Sequence, residues 1–240
     1  LRERMLMAFE RAQRVKEPEA AREYLTFVIV GGGPTGVELA GALAEIGRKA
    51  MAPDFPVLHQ AEFRVLLIEG VGRILEGFPP DLSGKAQTAL EELGVTVMLN
   101  SRVNDVTAQG VLAGSEFIRS MNVLWAAGNV ASPILASLDE PLEAAGRVRV
   151  EQDLSLPGDP WLFVIGDAAH CVTAGGGLLP GLAPVAIQEG RYVAKVIAHD
   201  IPKGERQPFV YKDRGIRATI GRAKAVALLG PFSLSGLIAW

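Results

Sequence analysis

The spacing of apolar residues changes character several times along the chain. "LRERMLMAFERAQRVKEPEAAREYL" (1–25) sets apolar residues at helical intervals between charges and predicts a helical lead-in. Thr26–Val30, Thr-Phe-Val-Ile-Val, is a short β-branched and aromatic run, the pattern of a parallel strand covered on both faces. Helical spacing returns over 35–50, with Leu39, Leu43 and Ile46 on the expected apolar stripe. After an inserted stretch, "MAPDFPVLHQAEF" (51–63), a second buried strand is predicted in "FRVLLIEG" (63–70). A helix over 81–93, capped by Asp81 and closed by Gly94, leads to the strand "VTVMLN". A polar, hairpin-like stretch (102–120) and the strand "MNVLWAAG" (121–128) complete an α/β rhythm.

Farther on, "GRVRVEQDLSL" predicts an extended segment and "WLFVIGD" (161–167) a buried strand. A Gly- and Pro-rich loop opens near Ala183 into a helix expected to turn Ala186, Val193 and Ile197 inward. Ala225–Trp240 holds no charge at all. With Gly and Pro among its sixteen residues, it falls short of the roughly 20 needed to span a bilayer, which leaves a core segment or a membrane-facing surface.

Between the first strand and the first long helix lies "GGGPTG", in which Gly31, Gly33 and Gly36 form G-x-G-x-x-G. In that context Gly31 makes the tight turn, Gly33 lets a pyrophosphate approach the backbone, and Gly36 lets helix and strand pack closely. The helix N-terminus offers N–H groups and a positive dipole end to phosphate. Glu69, at the end of the second strand, can accept hydrogen bonds from both ribose hydroxyls and would repel a 2′-phosphate. Its distance from the glycines exceeds the usual spacing of about 20 because of the insertion. Arg73 lies near enough in sequence to keep NADP beside NAD as a candidate ligand. Glu38, on the first helix, is either a complement to the positive helix end or a proton-handling acid. Asp167, after a strand and Gly166, can accept from a ligand hydroxyl at a strand's C-terminal edge.

Composition narrows the classes. A net charge of −3 without a Lys/Arg run gives no reason to expect nucleic acid. One cysteine, Cys171, excludes an internal disulfide and a two-cysteine redox centre. Three histidines (His59, His170, His199) without ligand-like spacing argue against a zinc site, so no metal is expected.

Taken in order, "TFVIVGGGPTGVELAGAL", "VLWAAGNVASP", "GRVRVEQDLSLPG", "LFVIGDAAH", "LPGLAPVAIQEG" and "ATIGRAKAVA" resemble the type II NADH dehydrogenases. These are FAD enzymes that pass electrons from NADH to quinone at a membrane surface, without pumping protons. The resemblance implies an α/β, Rossmann-like flavoprotein fold with two dinucleotide-binding domains, the NAD domain complete and the FAD domain partial. It implies a helical linker (1–25), an NAD(H)-binding domain (26–137), the later part of the FAD domain (138–200) and the start of a quinone- and membrane-facing region (201–240). The flavin's own Gly-rich loop would precede this stretch, and a membrane-docking segment would follow it.

By the same resemblance, Glu38 lies near nicotinamide and flavin, and Gln188 lines the quinone pocket. Gly31, Gly33, Pro34, Thr35, Gly36, Glu69, Ala127, Gly128, Gly166, Asp167, Ala183 and Ala186 contact the cofactors, with Asp167 as the ribityl ligand. Pro184 stands where many relatives have Gln, which puts the shape of the quinone pocket in question. The implied cofactors are FAD and NAD, with NADH, quinone and the membrane as partners. The expected setting is the cytoplasmic face of the cell membrane, held peripherally, with self-association as a homodimer. Two other readings stay open: an NADH-dependent reductase of a ferredoxin-like carrier, and a non-catalytic NAD-binding module. Cys171 is expected to be a buried small residue.

Overall fold

The computed structural model describes residues 1–51, 54–55, 62–173 and 175–240, so most of the inserted 51–63 stretch, His59 included, lies outside the described residues. The chain divides into two compact units, one of Leu1–Ala127 with Gly215–Trp240, the other of Gly128–Arg214. The division falls at 127/128, ten residues before the boundary expected from sequence, and residues 215–240 and the 1–25 lead-in pack within the first unit.

In the first unit, helices α1 (Arg2–Arg14) and α2 (Pro18–Leu25) precede strand β1 (Thr26–Val30). Helix α3 (Pro34–Glu45) follows and widens into a π-helical turn at Ile46–Met51. Strand β2 (Arg64–Ile68), helix α4 (Pro80–Glu92) and strand β3 (Val95–Met98) come next. The unit continues with β4 (Val103–Thr107), β5 (Gly110–Ala113), β6 (Glu116–Arg119) and β7 (Asn122–Trp125). Strands β3-β2-β1-β7 form one parallel sheet in that order, and β4-β5-β6 a separate antiparallel meander.

Because side chains alternate across a strand, β1 and β2 serve two cores. Phe27, Ile29, Val65 and Leu67 pack with α1, α3 and α4, where Phe9 lies 5.5 Å from Phe63 and 6.5 Å from Phe27 between ring centroids. Val28, Val30, Leu66 and Ile68 pack instead against Val111, Ala113 and Ile118 of the meander. Two covered faces explain why these strands read as unbroken apolar runs. Each buried Phe or Leu contributes about 2 kcal/mol.

Two details differ from the sequence reading. Ile46, expected inside the α3 stripe, is exposed, because the change to π-helical winding at that residue rotates it off the buried face. Asp81 does not cap α4: Pro79 occupies the cap and Asp81 sits in the first turn, where its charge complements the helix end.

The second unit carries β8 (Val148–Arg149), β9 (Ala169–His170) and helix α5 (Ala183–Ala198). "WLFVIGD" does not form a regular buried strand. The Pro157–Pro160 turn folds it back on the preceding segment as a narrow hairpin, with Leu156 N–H to Leu162 O, Val164 N–H to Leu154 O and a single bridge between Ser155 and Phe163. Trp161 stays exposed. A buried ionic cluster closes this unit, in which Asp153 accepts from Lys203 (2.8 Å) and Arg206 (3.1 Å) while the Arg206 guanidinium lies 5.0 Å from Trp161 and 5.1 Å from Phe163.

Strands β10 (Ile216–Gly221), β11 (Lys224–Leu229) and β12 (Phe232–Gly236) belong again to the first unit as an antiparallel sheet. The uncharged tail is core in part: Ala225, Val226, Ala227 and Ala239 are buried, while Leu229, Phe232, Leu237, Ile238 and Trp240 are exposed. Among the described residues no helix is long and apolar enough to cross a membrane.

Candidate functional site

In the first unit, the glycine loop is held at the carboxyl ends of β1 and β2. The Gly31 N–H donates to the Ile68 carbonyl (2.8 Å), and the Gly32 carbonyl accepts from the Leu75 N–H (2.8 Å). Gly31 has φ +108°, and a Cβ there would lie 2.8 Å from the Ala127 backbone. A Cβ on Gly36 would sit 1.8 Å from the Gly31 carbonyl oxygen, so helix and loop meet backbone to backbone. Gly33 is the opposite case: among the described residues nothing lies within 4 Å of a Cβ placed there. That open face sits at the start of α3, where no side chain caps the helix and Pro34 contributes no N–H. The N–H groups of the first turn, at Thr35 and Gly36, are those a helix leaves without intrahelical partners. A phosphate group fits such a cradle.

Glu69 is fixed beside this loop. One carboxylate oxygen accepts the Gly32 N–H (2.6 Å) and the other the Val71 N–H (3.1 Å), so the acid that sequence selected as a ribose binder is already oriented. Each oxygen keeps a further lone pair for a hydroxyl. Arg73 is turned elsewhere, donating to the Phe78 carbonyl (2.9 Å) and the Glu76 carbonyl (2.8 Å). Glu38 lies on the exposed side of α3, and its Oε1 accepts the Thr219 N–H at 3.0 Å. Ala127 backs directly onto Gly31, while Gly128 (φ +70°) begins the second unit.

In the second unit, Gly166 (φ +66°) starts a single 3-10 turn, Gly166–Ala168, that carries an exposed Asp167. Asp167 Oδ2 accepts from the Asn129 amide (3.3 Å). A Cβ on Gly181 would come within 2.9 Å of Asp167 Oδ1, so the Gly-rich loop passes close to this carboxylate. Ala186, on the first turns of α5, lies 3.3 Å from where a Gly166 Cβ would stand, and Ala183 opens the same helix. A glycine-cleared turn with one exposed carboxylate, facing a helix start without a side-chain cap, fits the hydroxylated chain of a flavin.

Gln188 is engaged in another way. Its amide donates to the Lys212 carbonyl and accepts the Lys212 N–H, both at 3.0 Å, a two-point clamp on the backbone of the 206–214 segment.

Sequence reasoning missed Glu189. The buried face of α5 is Val185, Glu189, Val193 and Val196, whereas Ile197, expected inward, is exposed. A carboxylate on the inner stripe hides from any reading of apolar periodicity. The available signal was the i, i+4, i+8 spacing of Val185, Glu189 and Val193. Burial foremost, and then the charge of Asp167, push Glu189 up from the ordinary carboxylate range against the pull of the Gly166 N–H. Burial, together with Glu189, pushes the Cys171 thiol up to about 11, which keeps it an un-ionised thiol. Among the described residues no group of His, Cys, Asp and Glu is arranged to hold a metal ion.

Comparison with known proteins places the chain in a family. The chain is 40% identical over its whole length to the type II NADH:quinone oxidoreductase Ndh of Mycobacterium tuberculosis, of which it covers 53%. It is 32% identical, over 91% of its length and 46% of the relative, to an internal alternative NAD(P)H-ubiquinone oxidoreductase of Arabidopsis thaliana mitochondria. The chain thus spans about half the length of the curated relatives it matches. Its fold is that of NDH2 from Plasmodium falciparum, solved in complex with NADH, with a TM-score of 0.86 at 19% identity over 98% of this chain and 64% of that one. The family pattern described as pyridine nucleotide-disulphide oxidoreductase matches residues 3–190, across both the glycine loop and the Gly166-Asp167 turn, and the chain belongs to that family.

Proposed function

We propose that the protein to which this chain belongs passes electrons from NADH, through FAD, to a membrane quinone without pumping protons. The observation that carries the reading is the 40% identity to a type II NADH:quinone oxidoreductase along the entire chain. The geometry supports the nucleotide part. Gly33 leaves room for a pyrophosphate at the start of α3, and Glu69 is held ready for the ribose. Arg73 is spent on backbone carbonyls and not turned toward a 2′-phosphate, which Glu69 would repel; this favours NADH over NADPH.

Bound FAD would supply the two-electron chemistry that links a nicotinamide to a quinone. The work of the chain's own residues is to hold and orient. Asp167 would accept from a ribityl hydroxyl, with Gly166, Ala183 and Ala186 shaping the space beside it, and Ala127 and Gly128 would border the nucleotide crevice. Gln188 would shape the quinone pocket through its grip on Lys212. Glu38 would hold or release a proton near the nicotinamide. The exposed Leu229, Phe232, Leu237, Ile238 and Trp240 support docking on a membrane surface, which we assign to its cytoplasmic face, and a homodimer belongs to the same reading.

The visible spectrum of the full-length protein tests the proposal. The expected result is a flavin band that NADH bleaches and a quinone restores. A colourless protein that binds NADH would overturn the flavin part. A reduced flavin that quinones leave reduced would overturn the electron acceptor.

A further inference from the structure

Helix α5 grips the Gly166-Asp167 turn at two points one helical turn apart. Ala186 closes against Gly166, and the Glu189 Oε2 accepts the Gly166 N–H at 2.5 Å. Gly166 lies in the left-handed region at the start of a 3-10 turn and in no named strand, and its N–H is held by this bond. Glu189 is 1% exposed and sits between Val185 and Val193 on the inner face of α5. Burying a carboxylate in apolar surroundings is costly unless it is bonded. A valine at this position would continue the stripe without that cost, yet it would leave the Gly166 N–H without its partner.

We infer that Glu189 is a positioning residue for the flavin: by fixing the Gly166 amide it aims the Asp167 carboxylate at the ribityl chain. The inference rests on the flavin reading above, but its structural half stands apart from it. The geometry requires only an acceptor oxygen at position 189. Glu189→Gln supplies one without a charge, whereas Glu189→Leu fills similar space and supplies none.

The test uses the full-length protein and both variants, with three readouts: hydrogen exchange of the Gly166 amide, FAD affinity, and visible circular dichroism of the bound flavin. Glu189→Gln is expected to keep Gly166 protection, FAD affinity within about threefold, and the wild-type visible band. Glu189→Leu, folded by far-ultraviolet circular dichroism, is expected to lose protection at Gly166, bind FAD at least about tenfold more weakly, and shift the band. Should Glu189→Leu fail to fold, the Gln variant alone decides: loss of protection or of FAD there overturns the inference. Unchanged Gly166 exchange in a folded Glu189→Leu protein overturns it whatever becomes of the flavin. Changed exchange with wild-type FAD affinity and spectrum overturns the link to the flavin. Wild-type protein that takes up no FAD overturns the flavin reading itself and this inference with it.

Discussion

Glu38 and Thr219 stand 181 positions apart in the chain and are joined by one hydrogen bond, the Thr219 N–H donating to Glu38 Oε1 at 3.0 Å. The acid expected to act near nicotinamide therefore also ties α3 to β10. The two roles separate chemically. Glu38→Gln keeps an acceptor oxygen for Thr219 but cannot carry a proton, so thermal stability should stay within about 0.5 kcal/mol of wild type while the pH profile of quinone turnover changes. Steady-state assays across pH check it, and an unchanged profile would remove Glu38 from proton handling.

Gly33 and Gly36 should part company under the same substitution. Gly33 has φ −70° and open space where a Cβ would go, so Gly33→Ala should fold like wild type, within about 0.5 kcal/mol. The added methyl would occupy the cradle, and NADH affinity should fall at least about tenfold. Gly36→Ala meets the Gly31 carbonyl at once and should destabilise the unit by about 2 kcal/mol or more. Thermal melts beside NADH titrations followed by fluorescence separate the two; equal stability losses would contradict the geometry.

In the second unit, burial pushes Asp153 upward, but hydrogen bonds from Lys203, Ser155 and Arg206 outweigh it and hold the carboxyl at about 2 against an ordinary 3.8. A carboxylate with a depressed folded value stabilises above its unfolded value and loses that contribution as pH falls through the folded one. The contribution should be complete above pH 3.8 and lost as pH falls through about 2. Asp153→Asn should cost about 2–3 kcal/mol, less than the roughly 3–5 of a fully buried pair because Lys203 reaches solvent. Acid-unfolding curves of the two proteins should converge toward pH 2; parallel curves would rule out the linkage.

The sign reverses at Glu189. Burial foremost, with the charge of Asp167, raises its folded value, so its contribution is complete below the ordinary carboxylate value of 4.5 and is lost as pH rises through the raised one. Glu189→Gln, which keeps the bond to Gly166 without a charge, should gain on wild type as pH rises. The difference in melting temperature between the two should widen from pH 5 to pH 8, and a constant difference would argue against a raised carboxyl.

What sequence made legible was whatever rests on short-range pattern. Two-sided burial of β1 and β2 produces unbroken apolar runs, and the glycine spacing follows from backbone contacts that a Cβ would block, as at Gly36. Glu69 was legible because a parallel strand delivers the residue just past its end to the loop beside it. What stayed hidden depends on partners distant in sequence. Ile46 turns outward only because the helix widens there, and "WLFVIGD" folds onto residues 154–156 across a proline turn. Gln188 finds the Lys212 backbone, and Glu189, a charge on an inner face, breaks the apolar periodicity of a stripe of which only Val193 was anticipated.

One contact in the first unit reaches farther than its size suggests. Gly41, in the middle of α3, lies so close to β10 that a Cβ there would fall 1.5 Å from the Ile220 carbonyl oxygen. The helix whose first turn would receive a nucleotide is thus also the floor on which the last strands of the chain rest. A ligand that binds only the folded form protects whatever must open for it to leave. Saturating NADH should therefore slow hydrogen exchange at Ile216–Gly221, although no nucleotide would touch those residues. The closing strands would then serve as a distant gauge of occupancy at the loop, readable by mass spectrometry of a single peptide.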